Sequence, residues 1–230
     1  MTFAINRHAT VNAMSSQADP LAVRQLWGLA ETPGRGPRAR FDVHEIARAA
    51  VAMADRSGTS DVTLAAVAGS LGLATTALYR YVDSKETLVE LMIDAALGEA
   101  PAVGSVTGWV DALWARYQEH PWLAQVPLTR APRCPNAIDW MSGLVAALAS
   151  DGHVDPVATA LTLDVLVRGY AVLDVVASSE EPPSPEIMAE IARRHPVLAE
   201  GPSRPGSVRS MLDVAMRAVL TSTPPAGARS

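Results

Sequence analysis

The chain has a single cysteine among its 230 residues, Cys134, which excludes an intramolecular disulfide framework and fits a reducing compartment. Aromatic residues supply only 5% of it although 49% is hydrophobic. Much of that apolar content is alanine, which favours closely packed helices. No run alternates apolar and polar residues as strands do, and no glycine-rich loop precedes a lysine, which argues against a nucleotide-binding α/β enzyme. Histidines stand at 8, 44, 120, 153 and 195, never three or four residues from one another or from Cys134, so neither a metal site nor a cofactor is implied. Cys134 lacks any local signature pairing it with His120, His153 or His195 as nucleophile and base, and no enzymatic activity is expected.

Long hydrophobic runs are absent too. The longest, Leu161 to Ala177, is interrupted by Asp164, Arg168 and Asp174, and reads as a buried helix of a soluble protein, not a membrane span. Met1 to Asp19 lacks the continuous apolar core of a signal peptide, and Met14 is an alternative start, so a cytoplasmic protein is expected. Lysine occurs once, as Lys85, and the net charge is −5, a poor balance for meeting a polyanion. The distribution is uneven, however. Arg35, Arg38 and Arg40 lie between Pro33 and Phe41 with no acidic residue, while the C-terminal two-thirds holds most of the excess Asp and Glu. That is either a basic arm able to follow a phosphate backbone or enter a minor groove, or a solvated linker.

What the sequence does contain is concentrated between Thr63 and Leu88. Thr63 suits an N-cap, and Leu64, Val67, Ala68 and Leu71 recur on one helical face. Gly72 supplies the left-handed conformation that ends such a helix, and Leu73 returns the turn to the core. A second short helix follows near Thr75, with Leu78 inward and Thr75, Thr76 and Arg80 outward, a geometry suited to entering a major groove N-terminus first. Tyr79, Tyr81 and Lys85 can hydrogen-bond phosphate oxygens. Tyr79 and Tyr81 equally suit packing against the next helix, Thr75 and Thr76 equally suit capping, and a surface lysine is commonly just solvated.

These residues resemble a known family. Phe41 to Leu97 is similar to the N-terminal DNA-binding domain of the TetR/AcrR transcriptional regulators, most specifically over Leu78-Tyr-Arg-Tyr-Val82 and Ser84-Lys-Glu86. Leu26-Trp-Gly28 with Pro33-Gly-Arg-Gly-Pro-Arg38 is similar to the leader of an actinobacterial branch. The resemblance implies an all-α protein: a three-helix helix-turn-helix head joined by a connecting helix to a helical, dimerising, ligand-binding body. It implies double-stranded operator DNA as partner, contacted by Arg38, Arg40, Thr63, Thr75, Thr76, Tyr79, Arg80, Tyr81 and Lys85. The chain departs from the family's pattern at Ala65, Ala66 and Ala77, where relatives carry polar side chains, and at Ala74, a common capping position that leaves Thr75 as the expected substitute.

Punctuation divides the chain into a leader (1–40), a head with connecting helix (41–98), a body (99–222) and a tail (223–230). Asp42 is placed to cap a helix with Val43, Ile46, Ala47, Ala50, Met53 and Ala54 on one face, ending at Gly58. Asp83 and Glu86 approximate a capping box for the connecting helix, which should bury Leu88, Leu91, Met92 and Ala95. The body should carry helices over 105–119, 135–150, 156–178, 186–194 and 208–220. That at 156–178 is apolar nearly all round and needs cover on two sides; with 208–220 it is expected to form a four-helix dimer interface. Trp109, Trp114, Tyr117, His120, Trp122, Trp140, Met141, Arg168 and Tyr170 are candidates to line a cavity for an apolar or aromatic effector, or else are the body's core. Arg168 can pair with Asp164 one turn earlier or face a ligand carboxylate. The expected function is a ligand-released repressor on a palindromic operator. The alternative is a helical ligand-binding or protein-interaction module without sequence-specific DNA binding.

Overall fold

A computed structural model describes residues 19–29, 42–127, 130–179, 181, 183–196 and 207–222. Arg38 and Arg40 lie outside the described residues. Every element described is helical: α1 (Leu21–Leu26), α2 (Val43–Ser57), α3 (Leu64–Ser70), α4 (Thr75–Leu78), α5 (Lys85–Leu97), α6 (Val106–Glu119), α7 (Pro121–Gln125), α8 (Pro135–Ser150), α9 (Pro156–Ser179), α10 (Pro185–Arg194) and α11 (Val208–Ser222).

The helix starts follow from local side chains. Asp42 and Glu45 close a reciprocal capping box on α2, the Asp42 carboxylate accepting from the Glu45 N–H at 2.7 Å and the Glu45 carboxylate from the Asp42 N–H at 3.0 Å. This helix buries Val43, Ile46, Ala47, Ala50, Val51 and Ala54 and stops at Gly58, where φ is 79°. Ser84, not Asp83, caps α5, its hydroxyl accepting from the Thr87 N–H at 3.1 Å. Glu86 therefore occupies the second helical position instead of the third, from which a capping box is closed. Along α5 it is Ala96 that is buried where Ala95 was expected, and Asp94 is buried beside it. Ser105 caps α6, and Asp155 caps α9 by accepting from the Ala158 N–H at 3.0 Å.

In the head, α2 packs on α5 and α3, α3 packs on α4, and α1 lies against α2 and α5. In the body, α9 is central, with α6, α7, α8 and α11 against it. α7 was not foreseen: Pro121 keeps His120 out of the helical region, at φ −127° and ψ 75°, ending α6, and then starts a new turn at the position proline favours. Cover around α9 is one-sided among the described residues. Thr159, Ala160, Leu163, Val167 and Ala171 are buried, whereas Val157, Leu161, Val165 and Leu173 remain 53–65% exposed along an i, i+4 stripe that passes through Gly169. No described helix is long and apolar enough to cross a membrane.

Candidate nucleic-acid interface

The sharp turn between α3 and α4 is a Schellman closure. The Leu73 N–H donates to the Ala68 carbonyl at 2.8 Å and the Gly72 N–H to that of Gly69 at 3.1 Å, with Gly72 at φ 67°. Upstream, the Thr63 hydroxyl accepts from the Ala66 N–H at 3.1 Å, so α3 is capped as its sequence suggests. Ala74 occupies the N-cap of α4 with no side-chain bond, and Thr75 is the first helical residue; it does not act as the substitute cap, because a residue inside the first turn no longer faces the free N–H groups from outside.

Around this turn the structure separates anchors from free groups. Leu78 and Val82 are fully buried, and Tyr81 is half-buried against the core. Thr63, Thr76, Tyr79, Arg80 and Lys85 are exposed, Tyr79 by 53%, and Thr75 is half-buried. Among the described residues the side chains of Thr75, Thr76, Tyr79, Arg80, Tyr81 and Lys85 make no hydrogen bond or ion pair. Tyr79 thus resolves toward solvent and Tyr81 toward partial packing. An exposed guanidinium, an ammonium and a phenol next to a buried helix anchor can supply donors to phosphate oxygens or base edges. Ala65 is exposed and Ala77 half-buried, so neither adds polar reach.

The head is locked to the body by Asp55, Glu90, Asp94 and Arg133, which sequence reasoning did not single out, together with His120, Trp122 and Trp140, which it read as cavity or core. Asp94 of α5 is 3% exposed, and its carboxylate accepts from the Ala137 N–H at 3.1 Å, standing in for Cys134, which caps α8 without a side-chain bond. Burial pushes the Asp94 carboxyl above the ordinary aspartate range, against the opposing pull of that N–H. Glu90 grips the Arg133 guanidinium through two bonds of 2.8 and 3.2 Å. The indole of Trp140 donates to the carbonyl of Gly98, just past α5, at 2.9 Å. On α2, Asp55 Oδ1 accepts from Trp122 Nε1 at 2.7 Å and lies 2.8 Å from His120 Nδ1. The signal available was a lone acid on an otherwise apolar helical stretch, which Asp55 and Asp94 both are.

The candidate effector residues are largely core. Trp109, Tyr117, His120, Trp122 and Trp140 are buried, and the Trp109 indole donates to the Trp140 carbonyl at 2.7 Å with the two rings edge to face at 5.9 Å. Trp114, Met141 and Tyr170 are half-buried against that core. A surface pocket of about 180 Å³ lies elsewhere, lined by Asp19, Val23, Arg24, Trp27, Leu29 and Arg133. The expected Arg168–Asp164 pair does not form within 4.0 Å. Arg168 instead donates through Nη1 to the carbonyls of Leu123 and Val126 at 3.3 and 3.1 Å, groups left over at the C-terminal end of α7 that a cation satisfies well. Burial raises the Tyr117 hydroxyl pKa, with the nearby Arg168 cation opposing, and raises that of the Cys134 thiol to about 12, which makes this buried cysteine unreactive.

Residues 46–92 match the family described as bacterial regulatory proteins, tetR family. The chain is 34% identical over 156 residues to the HTH-type transcriptional repressor DrrR1 of Streptomyces coeruleorubidus, covering 64% of this chain and 57% of that protein. It is 32% identical over 159 residues to an HTH-type transcriptional regulator of Saccharopolyspora erythraea, covering 66% and 61%. It thus spans about three-fifths of the length of both curated relatives. Among solved structures, the Streptomyces coelicolor TetR family protein ActR in complex with (S)-DNPA superposes over 80% of this chain and 98% of its own, with a TM-score of 0.68 at 20% identity, a likeness of fold. The helix-turn-helix built on Gly72 lies within residues 46–92, the stretch that matches the tetR family of bacterial regulatory proteins, and the all-α fold around it is like that of the TetR family protein ActR.

Proposed function

We propose that the chain is a ligand-responsive repressor of transcription that binds a palindromic operator as a homodimer in the cytoplasm. The observation that carries this reading is the set of unpartnered, exposed Thr76, Tyr79, Arg80 and Lys85 around α4, a helix held by the fully buried Leu78. Thr63, Thr75 and Tyr81 border them. In this reading residues 41–98 are the reading unit, 99–222 the sensing and dimerising body, and Arg38 and Arg40 belong to an arm beside the operator. The exposed stripe Val157, Leu161, Val165, Gly169 and Leu173 on α9, continued by Val214 on α11, is what a second copy would cover in a four-helix interface. Two-fold symmetry then sets two α4 helices about one DNA turn apart, roughly 34–36 Å.

The repressor sign follows the printed name of the Streptomyces coeruleorubidus relative, and a small-molecule effector, apolar or aromatic in this reading, follows ActR, whose solved complexes carry (S)-DNPA and actinorhodin. A ligand would reach Trp114, Met141, Arg168 and Tyr170 first, since these are the half-buried members of the candidate set, with Trp109, Tyr117, His120, Trp122 and Trp140 behind them. The test is selection of genomic fragments by purified protein at near-physiological salt, followed by sequencing. A short inverted repeat upstream of a few genes supports the proposal. Weak, sequence-blind binding would favour instead a helical module without sequence-specific DNA binding, a reading consistent with the missing polar side chains at Ala65 and Ala77.

A further inference from the structure

The body touches the head through α5, through Arg133, whose carbonyl accepts from the Trp27 indole at 2.8 Å, and through α7, which is held at both ends by side chains from different helices. At its start, Asp55 Oδ1 on α2 receives Trp122 Nε1 at 2.7 Å and His120 Nδ1 at 2.8 Å. A carboxylate oxygen only accepts, so Nδ1 carries the hydrogen here. Both donors are buried, at 9% and 6% exposure, which makes the shared oxygen costly to lose. At its far end, Arg168 Nη1 on α9 holds the carbonyls of Leu123, Ala124 and Val126 at 3.3, 3.5 and 3.1 Å, with the guanidinium 5.8 Å from the Tyr117 ring. Five residues are too few for a helix to keep its own geometry in water, so these two clamps set where α7 lies. Another Arg168 donor, Nε, is buried with no hydrogen-bond partner among the described residues.

We infer that α7 is a strut between α9 and α2, with Asp55 and Arg168 as positioning residues that fix the angle of the head and hence the separation of the two α4 helices in the dimer. α9 carries the exposed apolar stripe, so a shift of α9 against its surroundings reaches the head through Arg168, α7 and Asp55 without passing along α5. An acidic effector group that engaged the unpartnered Nε would pull on the same clamp.

The operator arm of the test rests on the function proposed above. Purified full-length protein is offered inverted-repeat DNA in which the half-sites are fixed and the spacer varies by single base pairs. For wild type, one spacer should dominate. Asp55→Ala and Arg168→Gln should each erode that spacer preference, within the roughly 5- to 150-fold range of site-to-site couplings, while leaving half-site bases unchanged. Asp55→Asn should restore it, since an amide oxygen still accepts both donors. An equal loss of affinity at every spacer would overturn the inference and mark both residues as merely structural. If wild type selects no sequence at all, the function proposed above fails, and hydrogen exchange decides the strut independently. In Arg168→Gln, amides of the last turn of α2, Ala54 to Ser57, should exchange faster than in wild type. Wild-type exchange there, with faster exchange confined to α7, would overturn it.

Discussion

The Asp94 carboxylate, on the helix that leaves the head, accepts a 3.1 Å hydrogen bond from the backbone N–H of Ala137 in the first turn of α8. One helix thereby caps another, and the Asn136 side chain returns a 3.0 Å bond to the Asp94 carbonyl. Asp94→Ala strips α8 of the side-chain cap that Asp94 supplies and leaves a buried N–H unpaired, which should cost about 1–3 kcal/mol. Asp94→Asn keeps an acceptor in place and should retain most of the stability. Thermal unfolding of the two variants separates the cap from the charge: equal melting temperatures for Ala and Asn would refute the capping role.

A buried carboxyl also fixes the sign of a pH effect. Burial raises the Asp164 carboxyl above the ordinary aspartate value, with the Arg168 cation opposing. The folded state therefore holds that proton more tightly than the unfolded chain does. The penalty of burying the charge is present in full at neutral pH and is relieved as pH falls through the raised value toward the unfolded one. Asp164→Asn should melt higher than wild type near pH 7, by about 2–4 °C for each kcal/mol recovered, and the gap should close near pH 4. A gap that persists or widens in acid would contradict this.

Gly72 tests the turn of the helix-turn-helix. A Cβ built there meets nothing within 4 Å, so the cost of Gly72→Ala comes from the backbone alone, at φ 67°. The expected loss is about 1–2 kcal/mol, read from denaturant unfolding. A larger loss would mean that the turn has no freedom to adjust.

Arg80→Ala and Lys85→Ala touch no internal partner and should leave the melting temperature unchanged. Each should weaken DNA binding, and a phosphate contact should also reduce the slope of log affinity against log salt by about 1. Unchanged affinity and slope in both variants would remove them from the interface.

Local signals carried the head: Thr63, Gly72 and Asp42 act through side chains or dihedrals within a few residues, and all three behave as their sequence neighbourhoods imply. The helices of the body were legible from Asp155-Pro156, His120-Pro121 and apolar spacing for the same reason. What failed was tertiary. Asp94 caps a helix 43 residues away, a partner no spacing rule encodes. Arg168 was expected to meet Asp164 along its own helix, yet the carbonyls at the end of α7 offer a denser set of acceptors. The aromatics of the body looked alike in sequence; only packing distinguishes Trp109 and Trp140, bonded into the core, from the half-buried Trp114 and Tyr170. The exposure of Thr76, Tyr79, Arg80 and Lys85 was legible because they lie away from the buried Leu78, whereas the half-burial of Thr75 and Tyr81 depends on packing.

The most direct test of DNA reading by this head compares the affinity of the purified protein for its selected inverted repeat and for random duplex of equal length, at one near-physiological salt concentration. A specific regulator should prefer the repeat by roughly 10³-fold or more. Equal affinity for the two duplexes would contradict the proposed function.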